Sequence, residues 1–387
     1  MLSVRRFALV LFLALLSLSP ARANPMLLVD MDSFDVLHAQ DAGQPWHPAS
    51  LTKMMTAYVA FEELAKGTIT LDTPVVLSKK AINVAPSKSG LPVGSALTMK
   101  DALYVMTVKS ANDVAMAIAE TVGGSEAGFV AKMNDVAARM GLSATHYANP
   151  HGLHDPAQVT SARDLALLSL YIRQNFPQYM PMFATDTVQL GKAKLESNNV
   201  LLSKFAGTTG MKTGFVCASG LNMVATVERN GRKMLSVVLG ASSARERNER
   251  AAELALKGLS GSASPTGKTV LTLANNPGAA PVDMRAQICG KEAEAYAAAQ
   301  KAAYPMGLKD QPSFLNDAVV ARSYVATDLG RIAVGVTLPR PRPAHIPLFA
   351  EPVEAALGGD LRGGMVSAGS VSAGPATPFP LPRPSFY

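Results

Sequence analysis

The fold of this chain is decided in the stretch Pro48-Ala49-Ser50-Leu51-Thr52-Lys53-Met54-Met55-Thr56. From Ser50 to Gly67 the apolar residues recur with a period of about 3.6, which predicts a core helix that begins at a serine. Positions i and i+3 of a helix are neighbours on one face, so the Lys53 amine can reach the Ser50 hydroxyl. A serine hydroxyl needs a base, and burial or a second cation can lower the pKa of a lysine from about 10.4 until it serves as one. The stretch therefore predicts a serine nucleophile with a lysine base.

Two more motifs follow in order along the chain, Ser110-Ala111-Asn112 and Lys212-Thr213-Gly214. The first of these has a competitor in Ser197-Asn198-Asn199, but Ser110 is favoured because it lies in a break between helical segments. Lys212 is the natural second cation beside Lys53, and it can also attract a substrate carboxylate. Each motif alone is typical of a helix cap, a solvated lysine or a loop. Their ordered combination predicts a serine acyl-transfer site.

The rest of the pattern predicts an α+β domain. Alternating apolar runs and a hairpin signal at Asn230-Gly231 predict strands. These strands are Met26–Asp30, Val36–Gln40, Leu221–Val227 and Lys233–Gly240. Helical periodicity dominates from about residue 68 to residue 180 and returns over Arg245–Leu256. We expect an antiparallel sheet packed with helices, a mostly helical subdomain, and an active site between them.

The sequence predicts four parts along the chain. Residues 1–23 have the charged start, short apolar run and small-residue end of a secretory signal peptide, so export with cleavage after Ala23 is expected. Residues 24–260 are expected to form the catalytic domain, and residues 261–338 a small module of uncertain fold. Residues 339–387 are rich in Pro, Gly and Ala and are expected to be largely disordered. The small module has one helical stretch and two candidate strands: Lys291–Tyr304, Val319–Val325 and Arg331–Leu338.

Composition and motif spacing exclude several function classes. The net charge of +7 is mild and no dense basic block is interleaved with aromatic residues, so nucleic-acid binding is not expected. The stretch Gly261–Thr269 ends in Gly-Lys-Thr, but its spacing is one residue too long for a phosphate-binding loop. Cys217 and Cys289 lack the spacing of a zinc site, and in an exported chain they either form one disulfide or remain free thiols. No metal or organic cofactor is expected.

Over about residues 26–256 the sequence resembles the low-molecular-mass penicillin-binding protein family of D-alanyl-D-alanine carboxypeptidases. Besides the three motifs, the similarity lies in Asn149-Pro150-His151-Gly152-Leu153, in Ser161-Ala162-Arg163-Asp164 and in Gly210-Met211 before the third motif. The resemblance implies a β-lactamase/transpeptidase-like fold and a periplasmic enzyme of cell-wall remodelling. This enzyme would remove the terminal D-alanine from pentapeptide stems of peptidoglycan through an acyl-enzyme. Stem peptides would be its partners, β-lactam antibiotics its covalent inhibitors, and no cofactor would be needed.

The resemblance also implies roles for individual residues. Ser50 would be acylated, Lys53 would be its base, and Ser110 would relay protons. The substrate would be bound by a further set of residues: Asn112, Lys212, Thr213, Gly214, Phe215 and Arg247. The backbone N–H groups of Ser50 and Phe215 would form the oxyanion hole, and Arg247 would recognise the D-alanine carboxylate. The alternative for Arg247 is a solvated charge on its helix.

Other functions share part of this pattern. A D-Ala-D-Ala endopeptidase that cleaves cross-links would use every residue named above. A class A β-lactamase would need a glutamate to activate the deacylating water, and no E-x-x-L-N pattern occurs between Asn112 and Lys212. A non-catalytic wall-binding protein would be expected to carry a broken motif, and all three are intact. Members of the family often end in a basic amphipathic helix, but Gly358–Tyr387 has none, so peripheral membrane contact stays open and no anchor is visible.

Overall fold

The structure is a computed structural model that describes residues 24–276 and 278–331. The signal peptide predicted at 1–23 and the tail predicted at 339–387 lie outside the described residues. The strand predicted at Arg331–Leu338 lies outside them as well, except for its first residue. No helix within the described ranges is long and apolar enough to cross a membrane.

The described residues form ten β-strands and eleven α-helices. The strands are β1 (Met26–Asp30), β2 (Val36–Gln40), β3 (Pro74–Val76), β4 (Ala96–Thr98), β5 (Thr185–Leu190), β6 (Ala193–Glu196), β7 (Thr208–Val216), β8 (Gly220–Arg229), β9 (Arg232–Ala241) and β10 (Arg322–Ala326). The helices are α1 (Thr52–Ala65), α2 (Lys79–Ile82), α3 (Met99–Lys109), α4 (Asn112–Gly123), α5 (Glu126–Arg139), α6 (Ala162–Asn175), α7 (Met180–Phe183), α8 (Leu201–Lys204), α9 (Ala244–Leu259), α10 (Arg285–Ile288) and α11 (Ala293–Ala303). A 3₁₀ turn, Ala49–Leu51, leads directly into α1.

A five-stranded antiparallel sheet in the order β2-β1-β9-β8-β7 lies at the centre of the fold. β8 and β9 meet at Asn230 and Gly231, whose φ angles of 51° and 76° are those of a two-residue hairpin turn. The hairpin predicted from the sequence is therefore confirmed. β7, which carries the third motif, is an edge strand of this sheet, so its backbone can approach a neighbouring loop.

Both faces of the sheet are covered, because alternate residues of the inner strands are apolar on both sides. On β9, Met234 and Val238 pack with α9, whereas Leu235, Val237 and Leu239 belong to the larger core around α1 and α6. Burial of apolar surface on two faces is the dominant stabilising contribution of such a layered fold. The α+β architecture expected from the sequence is confirmed.

The helical subdomain contains α1 to α6, and serine or threonine caps set the starts of several of its helices. The Thr98 hydroxyl accepts a hydrogen bond from the backbone N–H of Asp101, Ser125 from that of Gly128, and Ser161 from that of Asp164. Such caps satisfy backbone donors that the helix itself leaves unpaired. The helix starts read from these residues are thus correct.

Residues 261–331 pack onto the preceding domain and share its core and sheet edge. Val270 is fully buried in the main core, and Thr269 forms an antiparallel bridge with Asp35 next to β2. The stretch that resembles a phosphate loop therefore pairs with the edge of the sheet. The strand predicted at Val319–Val325 corresponds to β10. It pairs with β5 in parallel and extends a second sheet of the order β10-β5-β6.

Candidate active site

The nucleophile candidate Ser50 lies in the 3₁₀ turn, and Leu51 separates it from the start of α1. The sequence predicted a helix beginning at Ser50, whereas the α-helix begins at Thr52 because Ala49 has a positive φ of 49° and turns the chain. Two glycines permit this turn to sit deep in the fold. A Cβ at Gly214 would lie 3.0 Å from the Ser50 nitrogen, and one at Gly152 would lie 2.0 Å from the Ala49 carbonyl oxygen. Strand β7 and the nucleophile turn therefore touch backbone to backbone.

Lys53 is buried in the first turn of α1, and its Nζ lies 3.1 Å from the Ser50 Oγ. The same Nζ donates to the Asn112 Oδ1 at 2.7 Å and to the His151 carbonyl oxygen at 2.5 Å. Burial holds the pKa of Lys53 well below its usual range, the nearby Lys212 lowers it further, and Asp113 opposes both effects. A neutral amine has two N–H bonds and one lone pair. Since two carbonyl oxygens take the N–H bonds, the lone pair is left facing the Ser50 hydroxyl.

The second motif lies at the break between α3 and α4. Ser110 has a positive φ of 62°, which ends α3 and turns its side chain towards β7, where its Oγ accepts a hydrogen bond from the Lys212 Nζ at 3.0 Å. Asn112 begins α4, and its backbone N–H donates to the Ser87 carbonyl oxygen at 2.7 Å. The predicted break between the two helices is therefore present and places one motif residue beside each lysine.

The third motif is part of β7. Lys212 is buried, and burial together with the nearby Arg247 lowers its pKa to about 7. The Lys212 amine is therefore only partly protonated at neutral pH. This weakens the expected effect of Lys212 as a second cation on the pKa of Lys53. Thr213 and Gly214 follow along the strand, and the Phe215 side chain is half exposed at the mouth of the site.

Arg247 lies in the first turn of α9 and is buried rather than solvated. Its guanidinium donates to the Asn198 carbonyl oxygen at 2.9 Å and to the Asn248 side chain. Burial lowers its pKa to about 10, and no carboxylate of the described residues lies within ion-pair distance of it. The reading of Arg247 as a surface charge is therefore wrong.

An open cavity of about 460 Å³ brings these residues together. Its lining comprises Ser50, Ser87, Ser110, Ser197, Asn198, Val200, Thr213, Gly214, Phe215, Leu221, Ala244 and Arg247. Ser197 and Asn198, the start of the competing motif, are thus also at the site, although the contacts to the two lysines are made by Ser110 and Asn112. Lys53 and Lys212 lie beneath this surface.

Some residues of the site carry no signal in the sequence. Ser87 belongs to a loop held at the cavity by contacts such as the one from the Asn112 N–H to its carbonyl oxygen, and the His151 carbonyl that binds Lys53 is a backbone group. Neither the site nor any other part of the described residues contains a group of three or more His, Cys, Asp or Glu that could hold a metal ion. The chemistry available here is that of two motif serines, two buried amines and a guanidinium.

A serine hydroxyl beside a buried lysine with a lowered pKa, with a second serine and lysine facing it, defines the class of serine acyl-transfer enzymes. The chain belongs to the serine peptidase family described as D-alanyl-D-alanine carboxypeptidase, whose model matches residues 17–243. The family predicted from the three motifs is confirmed.

Named relatives agree with this assignment. The chain is 33% identical over 239 residues to D-alanyl-D-alanine carboxypeptidase DacD of Escherichia coli, with 60% of this chain and 62% of the relative covered. It is 33% identical over 237 residues to DacA of Haemophilus influenzae, with 60% of each covered. The match thus spans about three fifths of the length of these relatives.

Solved structures show the same fold. Penicillin-binding protein 5 of Haemophilus influenzae matches with a TM-score of 0.60 and 32% identity, covering 62% of this chain and 71% of that one. Penicillin-binding protein D2 of Listeria monocytogenes, solved in its cefotaxime-bound form, matches with a TM-score of 0.54 and 29% identity, covering 62% and 97%. The transpeptidase-like architecture expected from the sequence is confirmed.

Proposed function

We propose that this chain is a serine D-alanyl-D-alanine carboxypeptidase that removes the terminal D-alanine from the pentapeptide stems of peptidoglycan. The observation that carries the proposal is the buried Lys53 amine, which lies 3.1 Å from the Ser50 Oγ and whose pKa is held well below its usual range by burial. A neutral amine at this distance is a competent general base for a serine hydroxyl. The predicted signal peptide supports action in the cell envelope, where such stems are found.

In the proposed first step, Lys53 takes the Ser50 proton while the Ser50 Oγ attacks the carbonyl of the penultimate D-alanine. The oxyanion is stabilised by the backbone N–H groups of Ser50 and Phe215, which belong to the two segments that touch at Gly214. The C–N bond to the terminal D-alanine then breaks. Its nitrogen receives the proton from Lys53 through Ser110, and free D-alanine departs.

In the second step, water attacks the ester carbon of the acyl-enzyme. Lys53 accepts a proton from the water and returns it to the Ser50 Oγ as the ester bond breaks. The products are a tetrapeptide stem with a new carboxylate and the regenerated enzyme, so atoms and charge balance over the cycle. Among the described residues, none that lines the cavity is a carboxylate. A β-lactam acyl-enzyme should therefore deacylate slowly and trap Ser50, which disfavours a β-lactamase.

The terminal carboxylate of the stem would be bound at the end of the cavity formed by β7 and α9. Arg247 is a buried cation whose described partners are neutral groups, so a substrate carboxylate would supply the missing counter-charge. A guanidinium can bind a carboxylate with two parallel hydrogen bonds. Lys212 and the Thr213 hydroxyl would complete this binding subsite, and Asn112 would hydrogen-bond the stem amide.

The test is the release of free D-alanine from a synthetic pentapeptide stem by the chain beginning at Asn24. We expect release by the wild type and by Ser262→Ala, whose serine is exposed and distant in sequence from every motif, and none by Ser50→Ala. No release by the wild type, with Ser50 still acylated by penicillin, would contradict the proposal. Cleavage of cross-linked stems in that case would identify an endopeptidase.

A further inference from the structure

A C-terminal segment outside the family match contacts the loops that hold the proposed site. We call residues 280–289 the tether. It includes α10, and the family model ends at residue 243. Cys289 of the tether forms a disulfide with Cys217, so of the two states that the sequence left open the structure has the disulfide. The Met284 backbone N–H donates to the Ala218 carbonyl oxygen at 3.0 Å, and the Met284 side chain is buried.

Cys217 and Ala218 belong to the turn between β7 and β8, immediately beyond the third motif. Phe215, whose N–H is a proposed oxyanion donor, is two residues before Cys217. The carbonyl oxygen of Ser219 in the same turn accepts a hydrogen bond from the Trp46 indole at 2.9 Å. Trp46 begins the approach to Ser50. The turn is thus joined to Phe215 along the chain and to the segment before Ser50 through the Trp46 indole. It connects the segments that carry both proposed oxyanion donors.

The tether also contacts the loop after His151 and the segment that precedes Ser50. Its Arg285 contacts the His154 ring, three residues after the His151 carbonyl that binds Lys53. The Gln44 side chain donates to the Ala280 carbonyl oxygen at 2.9 Å. One short segment therefore bridges the turn after the third motif, the approach to the nucleophile and the loop that orients the base.

We propose that the Cys217–Cys289 disulfide is a positioning device for acyl transfer, which holds the tether on the β7–β8 turn and thereby fixes the Phe215 N–H relative to Ser50. The inference rests on the proposed function of the site. Oxyanion donors must lie within about 2.7–3.1 Å of the developing charge, and misplacement by about 1 Å can cost about a hundredfold in rate. Reduction by a dithiol breaks the S–S bond, leaves two thiols, and converts the dithiol to its disulfide. Site geometry would then depend on the redox state of the surroundings.

The test compares the oxidised protein with the protein reduced by a dithiol under native conditions, with alkylation of both thiols confirmed by mass. We expect hydrogen exchange to quicken at residues 212–219 and 46–51 in the reduced protein. We also expect the second-order rate constant for acylation of Ser50 by a β-lactam to fall about tenfold or more. The buried Met284 contacts remain after reduction, so the protein should stay folded, as judged by circular dichroism.

Two controls separate this effect from others. The variant C217S/C289S should show the slow acylation of the reduced wild type and should not respond to the dithiol, and Lys291→Ala, at an exposed position near the tether, should behave as wild type. Unchanged exchange at residues 212–219 in fully alkylated protein would overturn the positioning role. Because hydrogen exchange needs no turnover, this result would be decisive even if the oxidised protein released no D-alanine.

Discussion

At the scale of single residues, the site contains three buried basic side chains, Lys53, Lys212 and Arg247. Arg247 lowers the pKa of Lys212, and Lys212 lowers the pKa of Lys53, although burial is the larger cause for both lysines. Removing an ammonium from water disfavours its charged form, and a neighbouring cation adds to the effect. Both effects favour the neutral amine at Lys53, which faces the proposed nucleophile Ser50.

Replacing Lys53 with arginine should abolish most acylation. A guanidinium keeps its proton at neutral pH, so Lys53→Arg retains a cation but loses the base. We expect the second-order rate constant for acylation by a β-lactam to fall by about 10²- to 10⁴-fold, the usual contribution of a general base. Lys66→Arg, at the exposed end of the same helix, is the matched control. Rapid acylation of Lys53→Arg would show that another group accepts the proton.

Asp113 opposes the lowering of the Lys53 pKa, and a substitution can isolate this effect. Its buried carboxylate accepts hydrogen bonds from the Ser89 backbone N–H and hydroxyl, and it raises the pKa of Lys53. The other ionisable groups near Lys53 are Lys212, which lowers its pKa, and His151, whose own pKa of about 3 leaves it neutral.

Asp113→Asn should therefore lower the pKa of Lys53 further. Because the neutral amine is the active form, the acidic limb of the pH profile for acylation should move to lower pH. The shape of the carboxylate is kept, so a change in folding alone would not move this limb. A limb at the wild-type position would contradict electrostatic coupling between Asp113 and Lys53.

At the scale of elements, α9 is a structural helix that also carries a binding group. The Ser243 hydroxyl caps it by accepting from the Glu246 N–H at 3.2 Å, and Arg247 follows in the first turn. Ser125 caps α5 in the same way, with 3.0 Å to the Gly128 N–H, but α5 carries no residue of the cavity. The two caps thus form a matched pair.

Ser243→Ala and Ser125→Ala should each lower the free energy of unfolding by about 1 kcal/mol, the usual value of a cap. Only Ser243→Ala should also raise KM for the pentapeptide several-fold, because fraying of that first turn displaces Arg247. Urea unfolding and steady-state D-alanine release measure the two effects. An equal KM in both variants would mean that Arg247 is held by its other contacts alone.

At the scale of the whole molecule, buried lysines make stability depend on pH. The pKa of Lys212 is about 7 in the native state, against an ordinary value of 10.5. Between these values the unfolded chain holds the Lys212 proton and the native state does not, so unfolding takes up a proton. The free energy of unfolding should therefore rise with pH across the window from about 7 to 10.5 and gain nothing more from Lys212 above it.

Lys212→Met removes the titrating group and keeps an apolar side chain of similar length. We expect its free energy of unfolding to rise less steeply over the same pH window than that of the wild type, as measured by urea unfolding at a series of pH values. Parallel curves for the two proteins would show that Lys212 keeps its proton in the native state.

Residues 261–331 connect the two halves of the molecule. Asp317 forms an ion pair with Arg229 on β8, whereas the Tyr324 hydroxyl on β10 donates to Asp101 of the helical subdomain. The active-site cavity lies between these halves, so this segment spans the parts that must keep their relative position. The family model does not extend over these residues.

The sequence by itself determined the local elements and the chemistry. The bounds of β1 and β2 agree with the prediction to the residue, and the hairpin at Asn230-Gly231 and the helix starts after Ser125 and Ser161 follow from turn and cap chemistry. Such features are decided by neighbours a few positions apart, so they can be read from the sequence pattern. The proposed nucleophile and base, Ser50 and Lys53, could be predicted for the same reason, because they lie about one helical turn apart.

Only the tertiary structure decided which distant groups meet. The Cys217–Cys289 pair, the Ser87 and Asn198 positions in the cavity, and the His151 carbonyl that binds Lys53 all join segments separated by tens of residues. The burial of Arg247 likewise depends on a loop that comes before β7. Periodicity does not encode such contacts, because they arise from the packing of whole elements. That packing also produces the desolvation that lowers the pKa of Lys53.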